Sequence, residues 1–110
     1  MKSLNLKLDV ESLKLSEEDK KQSVQKIIST IVQNVILGYA QQQRGFDEKE
    51  RRQYYKIADA LDTAEKENKE VLDLEDADMG FLKKCFRETK LMPNNILKQV
   101  EDLVLAVQDR

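Results

Sequence analysis

The stretch VLDLEDADMGFLKKCF, residues 71–86, places Asp73, Glu75, Asp76 and Asp78 within six positions. Carboxylates at that density are the usual ligands of hard divalent cations, and paired carboxylates also serve as general acid and base. A helix-loop-helix calcium site needs more than acids: a glycine at the sixth loop position and a bidentate glutamate at the twelfth. Counted from Asp73 those places hold Asp78 and Lys84, and counted from Asp76 they hold Phe81 and Arg87. Neither register provides the loop. Acids in the first turn of a helix have another use, because they face its unpaired amides and the positive end of its dipole, each for about 0.3–1 kcal/mol. LKLSEED at 13–19 and LDLEDAD at 72–78 share the order Leu, x, Leu, cap-like residue, acid, x, Asp. The acids therefore read as two extended entries into helices.

Cys85 is the sole cysteine and histidine is absent. Zinc sites of Cys and His, serine or cysteine nucleophiles activated by histidine, and intramolecular disulfides are all excluded within one chain. Cys85 falls between Leu82 and Phe86 on an apolar stripe, where a thiol acts as a small hydrophobe. The glycines stand alone at 38, 45 and 80, so there is no phosphate-cradling loop. No catalytic residue, metal site or cofactor is expected. The net charge of −2 gives no general attraction to nucleic acid or anionic lipid. Arg44, Arg51, Arg52 and Lys56 form one basic spot that could face a phosphate backbone, but Asp47, Glu48 and Glu50 are interleaved with it. Glu48 and Arg52 also have the favourable i, i+4 order of an exposed ion pair. Of the adjacent tyrosines, Tyr54 is expected in the core and Tyr55 at its rim.

These residues need elements to carry them. Leu4, Leu6, Leu8 and Val10 alternate with polar residues as in a strand with one apolar face, within an extended arm over 1–15. Ser16 before Glu17, Glu18 and Asp19 predicts the start of a central helix over 16–44. Its apolar stripe is Val24, Ile27, Ile28, Ile31, Val32, Val35, Ile36 and Tyr39, and Gly45 should end it in the left-handed conformation. Asp47 with Glu50 predicts a capping box opening a second helix over 47–68. A third helix over 76–90 is carried by Met79, Leu82, Cys85 and Phe86, and a fourth over 93–108 by Ile96, Leu97, Val100, Leu103, Val104 and Val107. The fold class is mainly α: a four-helix compact single domain over 1–110 with a short N-terminal strand. Whether that strand pairs with a second short strand near 70–74, and in which sense, is left open.

Gly38 lies inside a helical pattern at a cost of about 1 kcal/mol relative to alanine, so something should press close there. Tight packing within the monomer is one reason; a self-association face formed by Val35, Leu37 and Gly38 is the other, since Leu37 widens the stripe beyond what one chain readily covers. The longest apolar segment, Ile27 to Ala40, is broken by polar residues and falls short of the ~20 needed to span a bilayer. No membrane association and a cytoplasmic location are expected.

The strand, the long aliphatic helix, YYKIADAL, LDLEDADMGFLKK and the terminal amphipathic helix together resemble small helical proteins, without assigned activity, encoded by tailed bacteriophages and prophages. The resemblance implies a small accessory or assembly protein of a bacterial cytoplasm and carries no functional residues over. The expected function is a non-enzymatic interaction or assembly module whose partner is another protein or a second copy in a homodimer. The alternative is a small DNA-binding regulator using the basic start of the second helix.

Overall fold

Four helices and a two-stranded ribbon close around a continuous apolar core in the computed structural model, which describes residues 2–8 and 22–107. The elements run β1 (Lys2–Asn5), α1 (Val24–Gln42), α2 (Glu48–Lys66), β2 (Val71–Leu74), α3 (Asp76–Glu88) and α4 (Asn95–Leu105). The Cα radius of gyration is 13.4 Å, close to the ~13 Å of a well-packed domain near 100 residues.

The strands pair antiparallel, with Leu4 opposite Leu72 and Ser3 opposite Asp73. The period of two sends Leu4, Leu6, Leu72 and Leu74 into the core. On the outer face Ser3 Oγ donates to Asp73 Oδ1 at 2.5 Å. Val71–Leu74 thus takes Lys2–Asn5 as its partner; the echoed 13–15 stretch, Val10 and the predicted cap Ser16 with its acids lie outside the described residues. A central helix unbroken from 16 to 44 is corrected. Ser23 has extended backbone and its side chain accepts from Lys26 N at 3.1 Å, so the described helix opens at Val24.

α1 and α2 are joined by a tight reversal in which Arg44 and Gly45 both take positive φ, 66° and 115°, and Gly45 N donates to Ala40 O. α2 opens on the capping box, with Asp47 Oδ1 accepting from Glu50 N at 2.8 Å and Asp47 N donating to Glu50 Oε1 at 3.2 Å. Asn68 at φ 52° turns the chain into β2. Asn94 caps α4 by accepting from Leu97 N. The core joins Ile28, Val32 and Ile36 of α1, Ile57 and Leu61 of α2, Met79, Leu82 and Cys85 of α3, and Val100 and Val104 of α4. The ribbon closes it through Leu4 and Leu72. Among the described residues no helix is long and apolar enough to cross a membrane.

Candidate functional site

Two surfaces separate from the packed core: the outer face of α1, and a groove where the first turns of α2 and α3 meet.

On α1 the residues turned to solvent are Lys26, Thr30, Asn34, Leu37, Gln41 and Gln42, and the uncharged stripe Thr30, Asn34, Leu37 and Gln41 is spaced four, three and four beyond the exposed Lys26 at its start. No charged residue occurs between Lys26 and Arg44, although 36% of the chain is charged. Leu37 stands at the centre of this stripe with 42% of its surface exposed. The three residues grouped around it in the sequence part company. Val35 is buried in the core and cannot form a surface contact, so its place in a self-association face is corrected. Two positions along a helix turn the side chain about 200°, which sends Val35 inward when Leu37 points out. Gly38 is half-buried beside α3: a β-carbon there would stand 3.4 Å from Thr89 Cγ2, ordinary contact within the monomer.

The groove has a volume near 580 Å³. One wall is the start of α2 with Asp47, Arg52 and Lys56; the other is the start of α3 with Glu75 and Asp78. Gln53 Nε2 donates to Ala77 O at 3.3 Å and ties the walls together. Arg52 pairs with Glu48 at 2.6 Å and Lys56 with Glu75 at 3.7 Å, both exposed. Of the four cations grouped in the sequence, only Arg52 and Lys56 line this groove. Arg51 instead donates from Nη1 to Phe46 O, and Arg44 belongs to the α1–α2 reversal.

The four clustered acids also disperse. Asp73 belongs to the ribbon, Glu75 precedes α3 without a side-chain capping bond, and Asp76 begins the helix. Asp78 alone is buried, at 3% exposure. No hydrogen bond to its carboxylate forms among the described residues. Burial pushes its pKa up; Lys56 pulls the other way, and Glu75 adds to the rise. The spacing contained this signal, because Asp78, Leu82 and Cys85 stand at i, i+4 and i+7 on the buried face of α3. No group of three or more carboxylate or thiol side chains among the described residues is placed to hold a metal ion.

Cys85 is fully buried and its thiol is pushed up to about 12, chiefly by desolvation. Tyr54 stacks on Phe46 with centroids 5.9 Å apart, whereas Tyr55 is exposed. No protein-family model, curated protein or solved structure matches the chain.

Proposed function

We propose that this chain is a small non-enzymatic interaction module whose principal partner is a second copy of itself, docked through the outer face of α1. In the setting that its phage-like pattern implies, it serves as an accessory or assembly protein in a bacterial cytoplasm. One observation carries the reading: the outward stripe Thr30, Asn34, Leu37 and Gln41 bears no charge. The outward faces of the other helices carry Arg52 and Asp62 on α2, Lys84 on α3 and Lys98 on α4.

Removing a charge from water is costly, so a face without charges is the one most cheaply covered by another protein. The same stripe on two copies meets itself about a two-fold axis with no like-charge repulsion. A helix of 19 residues spans about 28 Å, and two such faces bury less than the roughly 1,200 Å² of a standard stable interface. The dimer is therefore reversible, with a dissociation constant on the order of micromolar or weaker.

Sedimentation velocity over a concentration series tests this. The chain should move from monomer to dimer, and Leu37→Glu should hold it as monomer with helical content unchanged. A wild-type chain that stays monomeric at high micromolar concentration overturns the reading. The DNA-binding alternative gains nothing from the arrangement of Arg52 and Lys56, each beside a carboxylate. Salt-sensitive duplex binding in gel shifts, removed by charge reversal at Arg51 and Arg52, would reverse that preference.

A further inference from the structure

We infer that the groove between the first turns of α2 and α3 is a binding site for a primary ammonium or guanidinium group, with Asp78 as its anchoring carboxylate. The inference is separate from the α1 face and stands without it.

Asp78 is 3% exposed, lines the groove, and has no hydrogen-bond donor on it among the described residues. Its carboxylate is not sealed off: among the described residues, Thr89 Oγ1 is the side-chain polar atom that is both fully buried and without a partner. An ionised carboxylate accepts several hydrogen bonds, and leaving those unmade inside a protein is costly. Asp78 is among the residues that line the cavity, so a donor held in the groove lies beside this group. Lys49, Arg52 and Lys56 are the cations that line the groove; Arg52 pairs with Glu48, and Lys56 Nζ lies 3.7 Å from Glu75 Oε2 and makes no hydrogen bond to Asp78 among the described residues. Three or more ligands for a bare metal ion do not converge here among the described residues. A ligand that brings its own N–H donors needs fewer protein partners, and Glu75 at the rim adds a second negative charge. The volume near 580 Å³ lies within the ~300–1,000 Å³ of small-ligand sites. It admits a free amine or the end of a partner's arginine or lysine side chain.

Agmatine and a blocked Gly-Arg-Gly peptide separate these two sources. Each is titrated into the ¹⁵N-labelled full chain at constant ionic strength, with amide shifts as the readout. Binding predicts shifts concentrated at residues 49–56 and 75–80. Asp78→Asn should weaken binding at least about tenfold, a difference near 1.4 kcal/mol. Lys56→Gln should strengthen it by removing a competing cation, and Asp59→Asn, an exposed acid elsewhere on α2, should leave it unchanged. Shifts with agmatine mean that a free amine suffices, and shifts with the peptide alone mean a protein side chain. Either result supports the site. No localised shifts with either probe, or equal shifts in Asp78→Asn, overturn it. Circular dichroism of each variant confirms that the fold is retained.

Discussion

Asp78 concentrates the conflict between folding and charge in this chain. Its carboxyl is buried, so the folded state holds the proton more tightly than the unfolded chain, whose aspartates titrate near 3.8. The sign follows from linkage: where the native state binds more protons, stability falls as pH rises. The neutral acid costs little below pH 3.8, and stability is lost as pH climbs from there through the raised native value. Asp78→Asn should therefore raise the melting temperature near neutrality and lose that advantage below pH 3.8, as thermal melts at the two conditions will measure. A variant that melts lower near neutrality would mean that the charge is stabilising after all. Cys85 shows the opposite outcome of burial. A thiol is small and neutral, and the core accommodates it as a small hydrophobe. Its character was plain from its neighbours Leu82 and Phe86, whereas Asp78 looked like one first-turn acid among several. The same i, i+4 spacing that identified the stripe of α3 also assigned Asp78 to it; the density of nearby acids concealed this.

The helix ends show how far local chemistry determines an element. Asp47 and Glu50 satisfy each other's backbone amides through a reciprocal pair that needs only three-residue spacing, which is why it is legible from sequence. Asp47→Ala should cost about 1 kcal/mol in urea unfolding. Glu75 has the corresponding place before α3 but makes no side-chain capping bond. Glu75→Ala should accordingly stay within about 0.5 kcal/mol of the parent. Equal losses at the two sites would show that the dipole, not the capping bond, dominates. The start of α1 was the element boundary hardest to read. The acids after Ser16 point to a start there, and nothing in the local chemistry points to Ser23. In the described residues Ser23 caps the helix, placing the polar 22–23 stretch outside it.

At the scale of the molecule, the ribbon closes the open side of the helical core. Leu4 on β1 and Leu72 on β2 are opposed and both are 1–2% exposed, so the ribbon contributes two fully packed side chains to the core. Leu4→Ala should destabilise by about 2–5 kcal/mol in urea denaturation, the usual range for a buried leucine truncated to a cavity. A loss below about 1 kcal/mol would mean that the ribbon is an appendage. The sequence by itself determined the helices of the described core, the strand character of the N-terminal segment, the capping box and the burial of Cys85, because each depends on periodicity or on contacts within a few residues. Only the tertiary structure decided the antiparallel pairing of Lys2–Asn5 with Val71–Leu74, since partners some seventy residues apart are matched by the shape of the closed core. It also decided that Arg52 and Lys56 share a groove that Arg51 does not, and that Asp78 has no donor among the described residues. Each of those depends on which helix lies opposite, and that is set by packing across the whole chain.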